Sequence, residues 1–448
     1  MNITENFLDI ITSVSANPLP DSVAKAARMC ILDYLGCVLV GGNIISEKEK
    51  NFISLVSRQG GNSSAIGLPD RLSLHNAAFV NGMRAHAAEL DDGHRYGMLH
   101  LGGSILSALL PVAELEQISS RDLLSGVVAG YEAAVRMAMA MQPSHKVRGY
   151  HTSGTCGTIG AAMSIAVAMH QDRAQMRSTL AAATASASGL LELQEDKSEM
   201  KPYNLAQASV NGIVAAYAGM AGFVGPDDPV GGKRGILNVM AENPKLEMLS
   251  EPFDKCCIET IYRKHYAACR HCHPAIEAAL SIRNEQGISA SDIRSINVET
   301  YKLAVGGHDH KTVQGIASAK LSIPFSVALA LVKGDAAMED FSEANIADGD
   351  ILALAEKVNV SINDTLTSWS PEKRAAIVTI ETVTGDSFIK EIDYPRGEPE
   401  NPMTRKEVEE KFITLAVAAG VPLPRCEYVV SMFDSGLFTV AEVFQKLR

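Results

Sequence analysis

Fifteen residues, HAAELDDGHRYGMLH from His86 to His100, hold three carboxylates (Glu89, Asp91, Asp92) and three histidines (His86, His94, His100). Apolar segments flank the run, AAFVNG before it and GGSILSALLPVAE after it. Charge held between buried segments costs free energy unless it is paired or used. A carboxylate beside an imidazole suits proton transfer near neutral pH, the acid orienting the ring that carries the proton. A helix end followed by a solvated loop would carry the same residue types, so the run needs partners elsewhere in the chain to count as a site.

Three other stretches offer such partners. In GYHTSGTCGTIGAA a turn with His151, Gly154, Thr155 and Gly157 runs into an Ala-rich helix. Backbone N–H groups at a helix start attract a carboxylate or phosphate. No Gly-Lys-Ser/Thr follows and no strand leads in, so it is neither a Walker loop nor a dinucleotide fingerprint. Close helix packing through small residues is the plainer reading. Lys201, Lys264 and Arg270 lie in turn-rich or His-rich surroundings. With His100 and His151 they make the basic pocket that a polycarboxylate needs, and Arg suits carboxylates through two parallel bonds. Cys269-Arg270-His271-Cys272-His273 matches the c-type haem pattern. That attachment belongs to exported proteins, and the N-terminus MNITENFLDII has no basic leader. A zinc site at the same cysteines lacks a second pair at the usual spacing, and His308-Asp309-His310 stands alone. No metal is expected.

The elements that must hold these residues follow from periodicity. Asp21 opens a helix, and Ser73 caps another that runs from Leu74 toward Glu89. SILSALLPVAELEQ is helical around Pro111. Ser119 and Asp122 have capping-box spacing ahead of a long apolar helix over 121–141. Helices follow near 173–188 and 206–222. Past residue 260 the pattern shifts: SINVETYKLAV reads as a strand, SIPFSVALALVKG and a stretch near 350 as helices. AAIVTIETVT and SFIKEIDYP form a hairpin at Gly385-Asp386. Residues 403–448 return to helix. The plan is a mainly α chain: a large all-helical domain from 1–262 and 398–448, and an inserted α+β domain over 263–397.

With 448 residues, two domains are natural. The net charge of −12 argues against nucleic acid, whose phosphates need a basic face. The apolar run 208–225 is short and broken by Asn211, which reads as a buried helix rather than a membrane span. Eight scattered cysteines read as reduced thiols of a cytoplasmic protein.

Six stretches, in order, resemble the MmgE/PrpD family of 2-methylcitrate dehydratases, cis-aconitate decarboxylases and iminodisuccinate epimerases. They are HAAELDDGHRYGMLHLGGSILSALLPVAE, GYHTSGTCGTIGAA, MKPYNLAQASVNGIVAAYAGMAGFVGP, KHYAACRHCHPAIEAAL, SAKLSIPFSVALALVKGD and PRGEPENPMTRKEVEEKF. The resemblance implies a helical domain built from both chain ends, a smaller α+β lid with a cleft between, a homodimer, and no obligatory metal or organic cofactor. It carries the family's catalytic groups onto Glu89, Asp91 or Asp92, and onto His100, His151, Lys201 and Lys264. Expected substrate contacts are Arg270, His273, Cys269, Gly154, Thr155, Gly157 and Tyr203.

The reactions of this family share one step, making or quenching a carbanion beside a carboxylate. They need a placed base and cations to hold the enolate-like charge. The expected reaction is a hydro-lyase step on a small polycarboxylate such as 2-methylcitrate, with epimerisation, decarboxylation or mere carboxylate binding as alternatives. Two positions depart from the pattern. K-P-x-H-x-G reads KPYNLA, placing Asn204 and Ala206. Cys269 stands where decarboxylases carry a catalytic histidine, which speaks against decarboxylation.

Overall fold

The computed structural model describes residues 2–195 and 198–448. Its contacts divide the chain into a helical unit, Met1–Ile261 with Thr404–Arg448, and an α+β unit, Tyr262–Met403. The second crossing falls later than the 397/398 boundary read from the sequence. The turn after Tyr394 stays tied to the α+β unit, because Arg263 N–H donates to Gly397 O at 3.0 Å and Arg270 pairs with Glu398.

In the helical unit the main elements are α1 (Asp21–Ile44), α2 (Leu74–Ala87), α3 (Gly102–Leu115), α4 (Ser120–Met141), α5 (Thr152–Ala168), α6 (Arg173–Ser186) and α7 (Lys201–Met220). Ser73 caps α2 by accepting from Asn76 N–H, and Ser119 caps α4 by accepting from Asp122 N–H. The helix read as starting at 206 begins at Lys201 instead. Pro202 occupies its first turn, where its missing N–H and fixed φ cost nothing.

Small residues let these helices approach. A Cβ on Gly130 of α4 would lie 2.8 Å from Gly160 O of α5, and one on Gly212 of α7 would lie 2.4 Å from Ala161 Cβ. The stripe of Gly and Ala is thus a packing device that brings helix starts and ends within side-chain reach of one another. Among the described residues α4 is the one single helix long and apolar enough to cross a membrane, and 94% of its most apolar window is buried. It also carries a buried ion pair, Arg136 Nε to Glu132 Oε1 at 2.5 Å, with the guanidinium donating to Met248 O and Glu251 O.

The α+β unit centres on strands β1 (Ile293–Thr300), β2 (Val358–Ile362), β3 (Ala376–Thr382) and β4 (Ser387–Ile392) in the order β2-β1-β3-β4. β1 and β2 are parallel and the other pairs antiparallel. Sequence reading missed β2, a five-residue edge strand directly after the helix near 350. SINVETYKLAV is strand only to Thr300; Lys302–Val305 is a short helix. Helices α8 (His273–Gln286) and α9 (Ile323–Lys333) cover the sheet, and α10 (Arg405–Ala418) returns the chain to the helical unit beside α1.

Candidate active site

The acidic run is the junction between α2 and α3. Helix α2 stops at Ala87, and Glu89 takes a left-handed conformation with φ of 55°. That conformation is unfavourable by roughly 1–2 kcal/mol for a residue with a Cβ. It turns the chain back, so that Glu89 Oε1 sits 3.4 Å from His86 Nε2 and forms an ion pair with Lys201 Nζ. Farther on, His94 N–H donates to Leu99 O at 2.9 Å and closes a small loop. The closure returns His100 to the start of the run. There Asp91 Oδ2 lies 2.8 Å from His86 Nδ1 and 3.2 Å from His100 Nδ1. One carboxylate oxygen therefore faces two imidazoles, whose ring centroids are 4.6 Å apart.

Asp92, one residue on, does something else. Its Oδ1 accepts from Gly102 N–H at 2.9 Å, its Oδ2 from Tyr131 Oη at 2.6 Å. Burial raises its pKa above the ordinary carboxylate value, opposed by these two donors. Asp92 anchors the start of α3, where a carboxylate also meets the favourable end of the helix dipole.

The tautomer of His100 follows from its partners. Nδ1 is 2.8 Å from Asp92 O, a carbonyl that only accepts, so Nδ1 carries a proton and Nε2 is the nitrogen left for acid–base work. His100 N–H donates to Ser153 Oγ at 2.9 Å, which fastens the loop to the first turn of α5. His151 precedes that turn and is 6% exposed. Burial first, then the charges of Lys201, His86, His100 and Lys146, hold its pKa well below the ordinary 6.5. It is neutral at pH 7, and its Nδ1 has no hydrogen-bond partner among the described residues.

Of the two readings of the glycine stretch, the structure shows close helix packing and not an anion-binding turn. Helix α5 starts at Thr152, so Gly154, Thr155 and Gly157 are inside it. Gly154 and Thr155 N–H donate to His151 O at 2.9 and 3.2 Å, and are no anion donors. Their role is spacing: a Cβ on Gly154 would lie 2.4 Å from Ser188 O and one on Gly157 2.5 Å from Ser104 Oγ. Tyr203 packs edge-on to Phe79 at 5.6 Å. Asn204 donates to Leu190 O at 3.3 Å, closing the segment that ends opposite His151.

Two groups that sequence reasoning passed over support the loop. Lys411 of α10 donates to Asp33 of α1 at 2.7 Å and to Leu90 O at 2.8 Å. Burial lowers the Lys411 pKa, but Asp33 and other negative neighbours outweigh it and the net shift is upward. Tyr131, from mid-α4, is the other. Neither lies near the acidic run in sequence, and no local signal marked them.

The remaining expected residues belong to the α+β unit. Lys264 is 1% exposed and, with Arg374 and Arg270, opposes the burial that raises the Tyr262 pKa to about 12. Arg270 donates to Glu398 Oε1 from Nε at 3.0 Å and from Nη2 at 2.6 Å. His273 is fully buried, with Nε2 3.1 Å from Ala268 O, and burial followed by Arg270 and Lys264 pushes its pKa well down. Cys269 is partly exposed and its Sγ lies 3.7 Å from His308 Nε2. The two Cys/His stretches that stood apart in sequence are thus neighbours.

The helical unit thus gathers Asp91 with two imidazoles, and places His151 within the electrostatic influence of His86, His100 and Lys201. Models of the MmgE/PrpD N-terminal and C-terminal domains match residues 5–249 and 266–421. The chain belongs to the MmgE/PrpD family. Among MmgE/PrpD relatives, the cis-aconitate decarboxylase of Homo sapiens is 25% identical over 438 residues, covering 92% of this chain and 87% of its own. The cis-aconitate decarboxylase of Aspergillus terreus is 24% identical over 447 residues, covering 92% and 89%. An alkylcitrate dehydratase of a fungal species is 27% identical over 231 residues, covering 49% of this chain and 46% of its own. The activities in these relatives' names are lyase reactions.

Proposed function

We propose that the chain is a lyase acting on a small polycarboxylate, and more specifically a hydro-lyase of the 2-methylcitrate dehydratase kind. The observation that supports this most is the arrangement around Asp91: two imidazoles on one carboxylate, with neutral His151 and Lys201 beside them.

In this reading Lys201 exchanges its contact with Glu89 for a substrate carboxylate and stabilises the enolate-like charge next to it. His151, unprotonated at pH 7, takes the proton from carbon. His100, held through Nδ1 and backed by Asp91, gives a proton from Nε2 to the departing hydroxyl. One C–H and one C–O bond break, a C=C bond forms, and water leaves. The two histidines end with exchanged protonation states, and bulk water resets them.

The full-length relatives named above favour a second reading, decarboxylation of an unsaturated tricarboxylate, in which C–CO2 cleavage replaces C–O cleavage and a histidine protonates the carbanion. Proton NMR of the purified protein in D2O with 2-methylcitrate, citrate, cis-aconitate and iminodisuccinate separates the readings. New vinylic signals from a hydroxy-tricarboxylate support the hydro-lyase. Carbon dioxide release from cis-aconitate replaces it with the decarboxylase. Deuterium entering recovered substrate without net reaction replaces it with an epimerase. A cytoplasmic homodimer without nucleic-acid partners goes with the proposal, and sedimentation at micromolar concentration tests the dimer.

A further inference from the structure

The α+β unit carries a cluster that the proton chemistry above does not use. Cys269 lies in the loop before α8, His271 two residues later, and His308 on the loop between β1 and α9. One ligand-type atom from each lies within 4.8 Å of the other two. Backbone bonds pin two of the three: Cys269 N–H donates to Lys320 O at 2.8 Å, and Ile323 N–H to His308 O at 2.8 Å. His271 Nδ1 is 2.6 Å from the hydroxyl of fully buried Tyr301, at the end of β1. The His271 and His308 rings face each other with centroids 5.0 Å apart.

We infer that Cys269, His271 and His308 form a binding site for a zinc-like divalent ion. Zinc holds sulfur at about 2.3 Å and nitrogen at about 2.0–2.1 Å in a tetrahedron, so two such ligands lie about 3.6 Å apart. The Cys269 Sγ to His308 Nε2 distance is 3.7 Å. One thiolate and two imidazoles suit zinc by softness. Three protein ligands leave a fourth position for water or an oxygen ligand, as in open zinc sites. The Tyr301 hydroxyl on His271 is the outer contact that orients a ligating ring. Cys272, the nearer partner by the C-x-x-C spacing, is not a ligand. Its Sγ points at Lys320 O, 3.9 Å away, and His308 takes its place. The site departs from the metal-free expectation, and its ligands all belong to the α+β unit.

The test is cobalt(II) titration of the full-length, chelator-treated protein, followed by zinc competition. One equivalent of cobalt with a thiolate-to-metal charge-transfer band is expected. Cys269→Ser removes the band. Tyr301→Phe weakens zinc binding by about 10–100-fold, the range for loss of an outer contact. Asp91→Asn leaves band and stoichiometry unchanged, separating the two clusters. No stoichiometric binding by the wild type, or a band that survives in Cys269→Ser, overturns the site and leaves Cys269 and His308 as a thiol–imidazole pair. Circular dichroism of each variant checks folding, and the wild-type titration decides even if a variant fails to fold.

Discussion

Each unit sets a cation against a glutamate, and the two pairs are built for different ends. Lys201 and Glu89 in the helical unit are 19% and 13% exposed at the side chain, and Glu89 also faces His86. Arg270 and Glu398 in the α+β unit are 4% and 2% exposed and joined by two bonds to one oxygen. A pair that water still reaches exchanges partners at modest cost, whereas a sealed pair loses several kcal/mol when one member goes. The Lys201 pair is therefore suited to yield its cation to a ligand. The Arg270 pair holds the loop before α8 to the turn after Tyr394.

The most damaging test of the relay is Asp91→Asn. Both imidazoles lose their shared carboxylate, and kcat is expected to fall by about 10³–10⁴-fold, as when a histidine loses its orienting acid. A kcat within tenfold of wild type would remove Asp91 from the mechanism.

His151→Gln and Lys201→Ala come next. The first should cost about 10²–10⁴-fold in kcat with little change in unfolding midpoint. The second should act on KM as well as kcat. Arg270→Ala is the counterpart that breaks or keeps the contrast: it should destabilise by about 3–5 kcal/mol, because Glu398 is left buried without its partner. If Arg270→Ala folded with wild-type stability but lost substrate affinity, the two pairs would be alike and the comparison would fall.

His151 also makes stability depend on pH. Its folded pKa is lowered, so as pH falls below the ordinary 6.5 the unfolded chain takes up a proton that the folded one does not. Stability should decline by at most about 1.4 kcal/mol per pH unit from this group between that value and its much lower folded one. Urea unfolding across the range, repeated on His151→Gln, should show a shallower slope in the variant. The acid limb of kcat/KM should correspondingly lie below 6.5.

Tyr131→Phe is the smallest expected effect. It strips one donor from Asp92 and should cost about 1–3 kcal/mol, read by denaturant midpoint, with kcat nearly intact. A large kcat loss without destabilisation would give Asp92 a part in the reaction.

Much of the helical unit was legible because its signals are local. Ser73 and Ser119 mark helix starts, and apolar periodicity carries α2 and α4. The hairpin at Gly385-Asp386 was readable for the same reason. Asp91 and Asp92 were not separable: they are adjacent, identical in type and equally buried at 3%. What parts them is the direction each side chain takes, one toward His86 and His100, the other toward α3 and Tyr131. The glycines of α5 were read as a turn because their freedom of φ is visible in sequence, while the neighbour that demands a missing Cβ is not.

The sequence by itself determined the family, the two-part plan and the acids, histidines and lysines of the candidate site, since composition, caps, periodicity and ordered motifs are properties of the chain. The tertiary structure alone decided which acid faces the histidines, that burial lowers the His151 pKa, that Lys411 and Asp33 brace the loop, and that His308 joins Cys269 and His271. Each of these rests on burial or on contacts between residues far apart in the chain, and both arise only once helices and strands have packed.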